Sequence, residues 1–449
     1  LNGLCRIFSD WGIDLSLKDV PRDVQEAARR ALIDTIGVTA AAASHPLVQK
    51  LSPLCQGHGG KATALGMPAK TRAEEAAFLN GAAAHAWDFD DTSYTGIMHG
   101  SAVIFPVVLA LSEELELDEE SFLAAFIAGS ETTYTLADIC THAHYFKGWW
   151  STITLGLIGA TVAASRLLGL TADQCEQALG LAAATAGGGK CLFGTDGKAM
   201  LVGETARRAI GFARAARAGI CGPKNGFEDS RGFFALLNGG VSEDGEIKTL
   251  GQTWRLTRPG LLFKSSPVCS AAQAAIEQMT SLMRELSASP DDIEKIEAEI
   301  PELVRISLVY DRPKTDQEAQ FSLPYALACA CLHGKVRLAD LTSQEITSDE
   351  KHVLMDLVSI TQSDDLSTDD MRNKYPESAR IRLRLKDGRV LEGFCGEAYG
   401  MPGRPMSDKD LLEKFSSCLT FGCVAPSEQI DIEGDLKTLA RQILSATAD

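Results

Sequence analysis

The sequence predicts a mainly α-helical protein: a large all-helical domain joined to a smaller α+β domain. Three observations predict it. Apolar residues recur at helical spacing through most of the first 240 residues. Alanine and glycine come in runs, as at 39–43 and 81–84, and such small residues let helices approach closely. From about Gly251 the pattern changes, and stretches of two-residue alternation typical of strands enter.

Each element has its own local signal. Residues 23–42 carry apolar side chains at helical spacing, with Pro21 just ahead as a start signal. Residues 71–88 read as a helix that runs into an acidic turn. Helices at 101–115, 121–139 and 151–168 follow. Thr171 with Gln174 three residues later is a capping pattern that opens a helix over 175–186. A helix over 204–220 closes this half. In the second half, 269–286 and 317–333 are helical. Residues 293–300, 357–362, 379–385 and 389–394 are strands, with Lys386-Asp-Gly-Arg389 as a hairpin turn. Residues 408–417 and 436–444 return to helix. This order places a helical domain over 1–255 and 405–449, with an α+β domain over 256–404 inserted before the last helices. The cleft between them is the default site.

Composition excludes several classes. The chain has 449 residues, enough for two or three domains, and a formal net charge of −17. That charge is a poor fit to nucleic acid or an anionic membrane, yet a local cluster of Lys and Arg can still receive an anionic substrate. The longest apolar stretches fall short of the roughly 18 residues a membrane span needs. Twelve cysteines are scattered from Cys5 to Cys423 without a CxxC pair. They read as small core residues of a cytoplasmic protein.

Chemistry-bearing residues fall into a few groups. Asp88-Phe-Asp-Asp91-Thr, followed by Met98-His99, sets carboxylates beside an imidazole that opens a helix. Carboxylates around a His set its tautomer and raise its pKa. The alternative is a solvated acidic turn and a helix-capping His. Phe193-Gly-Thr-Asp-Gly-Lys198 reads as a loop that carries Lys198 into a cleft, as anion clamp or base. Gly187-Gly-Gly-Lys190 lacks the ending of a phosphate loop and reads as a flexible connection. His142 and His144 do not share a helix face and lack a third ligand, so no metal site is expected. Tyr145 is a candidate proton donor, and Trp149 and Trp150 are core or pocket wall. Lys264, after an apolar pair, is by itself a weak signal.

In order along the chain stand ALIDTIGV from Ala31, AHAWDFDDT, MHGSAVIFPVVLAL, TLGLIGATVAASRLLGLTADQCEQALGLA, FGTDGK, DSRGFF, EAQFSLPYALACACLHG and GMPGRPMSDKDLLEKF. Together these segments resemble the MmgE/PrpD family over nearly the whole chain. The family includes 2-methylcitrate dehydratase, cis-aconitate decarboxylase and iminodisuccinate epimerase. The resemblance implies a helical domain plus an α+β lid, a homodimer, no cofactor and a small polycarboxylate substrate. It also implies that Asp88 and His99 form the acidic turn and pocket His, and that Lys198 is the loop Lys. Lys264, Tyr325 and Asp91 are then substrate-binding residues. Three imidazoles usual in lyase members are replaced here by Trp150, Leu201 and Gln273. Within the resemblance this points to an epimerase of an iminodisuccinate-type substrate, with His99, Lys198 and Tyr145 as acids and bases and Asp88 tuning His99. The alternatives are a lyase of the same family and, in another class, a non-catalytic helical binding protein.

Overall fold

The computed structural model describes residues 3–57, 59–243, 245–425 and 430–446. Its first half is a stack of helices: Leu4–Asp14, Arg22–Ala41, Ala73–His85, Gly100–Glu114, Glu119–Cys140, Gly156–Leu167, Ala172–Thr185 and Asp196–Arg217. The Gly100–Glu114 and Glu119–Cys140 helices are buried along almost their whole length. Such helices are apolar on every side because neighbours cover every side.

One contact positions the site. The Ala73–His85 and Asp196–Arg217 helices cross where Gly81 faces Gly203. A Cβ at Gly203 would collide with the Phe78 carbonyl, and one at Gly81 would come within 2.9 Å of the Gly203 Cα. The absence of side chains lets the two backbones touch. His85 lies one turn beyond Gly81, and Lys198 five residues before Gly203, so the crossing brings the two together.

The second half carries a four-stranded sheet of β3 (Ile293–Ile300), β4 (Val358–Gln362), β5 (Ala379–Leu385) and β6 (Val390–Cys395), in the order β4-β3-β5-β6. β3 runs parallel to β4 and antiparallel to β5, and β5–β6 is the expected hairpin. Alternate residues of β5 (Ala379, Ile381, Leu383, Leu385) are buried, as a one-sided sheet requires. The Gln273–Leu286 helix packs on β5 and β6. A small ladder, β1 (Thr92–Ser93) against β2 (Leu261–Leu262), ties the acidic turn to the start of this half. The last helices, Asp408–Phe421 and Leu436–Ser445, return to pack on Arg22–Ala41.

Several elements differ from expectation. The Asp196–Arg217 helix begins eight residues earlier than the spacing indicated, so Lys198 stands in a helical first turn rather than in a loop. Thr195 is extended, and Asp196 places a negative charge at the helix start, where the dipole favours it. The helix expected over 317–333 is divided into Asp316–Ala319 and Leu323–His333, because Pro324 has no N–H to donate to the preceding turn. The helix expected over 151–168 is interrupted at Leu155. Leu4–Asp14 was not anticipated; it buries Leu4, Cys5 and Phe8. Gly187–Lys190 is not a free connection: Gly188 O accepts from Trp150 N at 3.0 Å and Gly148 O from Lys190 N at 2.8 Å. Among the described residues no single helix is long and apolar enough to cross a membrane.

Candidate active site

Where the Ala73–His85 helix ends, the chain enters a turn in which Asp88 adopts a left-handed conformation, φ 48°. A side chain other than glycine costs on the order of 1 kcal/mol there and needs support from its surroundings. Three side chains from later in the chain supply it by bonding three backbone carbonyls of the turn. Gln320 Nε2 donates to Ala86 O (3.0 Å), Lys264 Nζ to Asp88 O (2.6 Å) and Lys414 Nζ to Phe89 O (2.7 Å). The second half of the chain thus holds the turn that the first half presents.

The turn gathers a buried cluster of charged groups. Lys198 Nζ lies 3.0 Å from Asp88 Oδ1 and 2.5 Å from His85 Nε2. Lys264 Nζ lies 3.3 Å, and the Nε2 atoms of His85 and His99 each 3.8 Å, from that same oxygen. Asp88 Oδ2, in contrast, is buried and makes no hydrogen bond within the protein. A buried carboxylate oxygen with no partner is costly and marks a place where a ligand or water proton belongs. Asp90 backs both imidazoles: its carboxylate is 2.8 Å from His85 Nδ1 and 3.3 Å from His99 Nδ1.

The hydrogen bonds assign the tautomers. His85 donates from Nδ1 to Asp90 and accepts at Nε2 from Lys198. Burial, with Lys198 adding to it and Asp90 opposing, pushes the His85 imidazole down to about 4, so it is neutral at neutral pH. His99 donates from Nδ1 to the Asp91 carbonyl at 2.8 Å, which leaves Nε2 for chemistry. Its side chain is 10% exposed, more than any other in the cluster.

Burial alone would raise Asp88, yet Lys198 and Lys264 together with the imidazoles hold its carboxyl well below the usual range. For Lys264, burial is outweighed by Asp88 and Asp90, and the ammonium is held above its ordinary value. Asp91 goes the other way. Burial, reinforced by Asp34 and Asp90, raises it well above a normal carboxyl although Ser101 donates to it at 2.5 Å.

Walls close the cluster. Lys198 Nζ sits 5.1, 5.3 and 4.9 Å from the rings of Trp150, Phe193 and Phe321, and Trp150 stacks on His85. The free space beside His85 and Lys198 is about 10 Å³, bounded by His45, Gly194 and Phe321 among others. That is room for about one water molecule. Glu377, just ahead of β5, is buried against the same region. It accepts from Tyr94 Oη (2.8 Å) and Ser270 Oγ (2.7 Å), and burial lifts its carboxyl to about 6.

The structure thus brings Asp88, His99, Lys198 and Lys264 together, but it gives Lys264 a different duty. That ammonium, expected to hold substrate, is spent on Asp88. Asp91 braces His99 through its carbonyl and takes Ser101 on Oδ2, while its Oδ1 is buried without a hydrogen-bond partner. Tyr145 lies alongside the cluster without a hydrogen bond to it. Its hydroxyl pairs with Ser307 at 2.9 Å, and its ring packs with Ile97 and Leu303. Tyr325 does not join the site: its hydroxyl donates to the Asp340 carbonyl, deep in the second half. His142 and His144 are bonded to the Tyr94 carbonyl and the Thr154 hydroxyl. Sequence reasoning missed His85 and took Asp90 only as part of the acidic turn, without a role of its own. The available signal was the His85/Asp88 spacing at a helix end.

By residue type His85, Asp88, Asp90 and His99 suit a divalent cation, their ligand atoms all lying within 4.8 Å of one another. The residues present do not favour one. The Lys198 and Lys264 ammoniums already sit on His85 Nε2 and Asp88 Oδ1, the atoms such an ion would need.

The MmgE/PrpD N-terminal domain matches residues 6–244 and the MmgE/PrpD C-terminal domain residues 266–438. The chain is 29% identical to the cis-aconitate decarboxylase of Mus musculus, over 76% of this chain and 70% of that protein. It is 28% identical to the Homo sapiens protein of the same name, over 76% and 71%. With cis-aconitate decarboxylase of Aspergillus terreus it shares 23% identity over 92% and 89%. These relatives are decarboxylases, which moves the expectation away from the epimerase and toward the lyase alternative. With both family domains matched in order over most of its length, the chain belongs to the MmgE/PrpD family.

Proposed function

We propose that this chain is a lyase that removes carbon dioxide from a small unsaturated tricarboxylate of the cis-aconitate type, with one side chain returning a proton to carbon. Family membership and the decarboxylase relatives support the coarser part, an enzyme acting on a small carboxylate. The observation that carries the finer part is the convergence of His99 Nε2 and Lys198 Nζ on one oxygen, Asp88 Oδ1. The two proton carriers crowd one point instead of bracketing a carbon from two sides. One-sided donors suit a reaction that needs a single protonation.

In that reaction the bond from carbon to the leaving carboxylate breaks and carbon dioxide departs. The electron pair spreads into the neighbouring alkene and its carboxylate, and a proton from Lys198 Nζ, or from His99 Nε2 in the imidazolium form, closes the carbanion. Positioned acid–base groups contribute typically 10²–10⁴-fold. The aromatic walls around Lys198 (Trp150, Phe193 and Phe321) favour loss of a charged carboxylate as a neutral gas. A larger cavity of about 490 Å³ lies on the other side of the turn, lined by Phe89, Lys264, Ser265 and Lys414 among others.

A second reading, epimerisation of an iminodisuccinate-type substrate, is favoured by one observation. The three imidazoles of lyase members are replaced by Trp150, a wall on His85, by Gln273, whose amide braces Ser266 and Val268, and by Leu201. In this reading Tyr145 is the second base.

Proton NMR in deuterated water with cis-aconitate, 2-methylcitrate and iminodisuccinate stereoisomers separates these readings. Loss of carbon dioxide from cis-aconitate, abolished in Lys198→Ala, is the expected result. Interconversion of iminodisuccinate stereoisomers with deuterium entering the α-carbon, and no carbon dioxide from any substrate, would overturn it.

A further inference from the structure

The cluster described above is electrically closed. Its two ammoniums, Lys198 and Lys264, face two carboxylates, Asp88 and Asp90, and His85 is neutral. A polycarboxylate brings two or three further negative charges into this space. Neither ammonium of the cluster is free to meet them, and an unpaired buried carboxylate is strongly unfavourable. A receptor for at least one carboxylate must therefore lie beside the cluster rather than in it.

Lys190 answers that description. It is half-buried, and among the described residues it forms no ion pair. Its Nζ rests 3.7 Å from the centroid of the Tyr145 ring. Burial pushes its ammonium down to about 8, with Cys269 opposing, as for a cation desolvated without a counter-ion. The Tyr145 ring packs with Ile97, two residues before His99, and Phe193 and Trp150, which wall Lys198, are bonded to Lys190 O and Gly188 O, so Lys190 adjoins the cluster on the Tyr145 side.

Its position is built rather than incidental. Lys190 N donates to Gly148 O, Phe193 N donates to Lys190 O at 3.0 Å, and Trp150 N donates to Gly188 O. Gly188 stands at φ 136°, where a Cβ would strike Ile153. The same segment therefore fixes Lys190 and the two aromatic walls of Lys198, Trp150 and Phe193.

We propose that Lys190 is a carboxylate-binding subsite, which receives a carboxylate of the substrate remote from the one that reacts. The proposal rests on the reading of the protein as a polycarboxylate enzyme. Tyr145 then serves as the platform that holds the ammonium in place through its ring face. Charge-assisted hydrogen bonds are the strong ones, so this contact governs affinity more than the chemical step.

The test is calorimetric binding of cis-aconitate, its monomethyl esters and iminodisuccinate to wild type, Lys190→Met and Lys190→Arg, each checked for wild-type circular dichroism. The expected result is a 10- to 100-fold weaker binding of cis-aconitate by K190M and recovery to within a few-fold by K190R. One monomethyl ester, the one masking the contacted carboxylate, should bind wild type and K190M alike. Tight binding of cis-aconitate or iminodisuccinate by wild type and equally by K190M overturns the subsite and leaves the proposed function standing. If wild type binds none of these ligands, both are overturned together.

Discussion

Two buried aspartates of this molecule look alike by composition and differ in what their surroundings do. Asp340, in the second half, is ringed by Arg337, Lys351 and His333, with Tyr325 on its carbonyl. Asp88 is ringed by Lys198, Lys264, His85 and His99. At Asp340 both carboxylate oxygens are partnered: Arg337 reaches Oδ1 at 2.8 Å, and its Nε and backbone N reach Oδ2 at 3.1 and 2.8 Å. The backbone there is an ordinary short turn, and the Arg337 side chain is nearly half exposed. At Asp88 every partner converges on one oxygen, the other oxygen has none, and the backbone is left-handed. The first is a staple that closes a turn. The second keeps an unmet acceptor and a strained backbone in place with three long-range braces. The combination of an unmet acceptor with a left-handed backbone, rather than the mere presence of Lys, His and Tyr around an acid, makes Asp88 the candidate site of the two.

The largest expected effect sharpens that contrast. Asp88→Asn is expected to lower activity per folded molecule about 10³-fold, since it removes the charge that orders Lys198 and His99. Asp340→Asn should change activity per folded molecule less than about threefold while costing about 3 kcal/mol of stability, because cations around it lose their partner. Initial rates corrected for folded fraction, with urea denaturation alongside, check both. Equal loss of activity in the two variants would break the comparison.

Next in size is a pH effect on the Asp88 side. Burial raises Glu377 from its ordinary 4.5 to about 6. A raised carboxyl stabilises the fold in its protonated form. That contribution is complete below pH 4.5 and is lost as pH rises through 6. The difference of about 1.5 pH units corresponds to about 2 kcal/mol. Glu377→Gln, which stays neutral, is therefore expected to be about 2 kcal/mol more stable than wild type at pH 8 and indistinguishable at pH 4.5. Denaturation midpoints at pH 4.5, 6 and 8 measure this. A variant less stable at pH 8 would show that the ionised carboxylate, bonded to Tyr94 and Ser270, is the favoured form.

The smallest effect concerns the tyrosine that belongs to the Asp340 centre. Tyr325→Phe removes one hydrogen bond to a backbone carbonyl and is expected to cost about 1 kcal/mol. Activity should stay within about twofold of wild type. A large fall in kcat in a fully folded Tyr325→Phe protein would return Tyr325 to the site.

Much of this molecule was legible in the sequence because it depends on neighbours along the chain. Helical and two-residue spacings located most helices and the four strands of the main sheet. The Thr171/Gln174 cap is present as a reciprocal capping box. The Asp88, His99, Lys198 and Lys264 set was also visible, through motif order, although these residues span much of the chain. What local pattern did not decide is where a charge is spent. Lys264 as a brace on Asp88, Lys414 and Gln320 as carbonyl supports, and Tyr325 on Asp340 all follow from contacts between distant segments. His85 was passed over because its partner Lys198 lies 113 residues away and meets it only through the Gly81–Gly203 crossing. The left-handed backbone at Asp88 was equally hidden. A φ that disfavours the residue is sustained by the rest of the fold and leaves no trace in the residue itself. The sequence by itself determined which side chains were available and which local shapes they prefer. The tertiary structure alone decided which charges cancel and which oxygen is left without a partner, because hydrogen bonding and desolvation depend on distance in space and not along the chain.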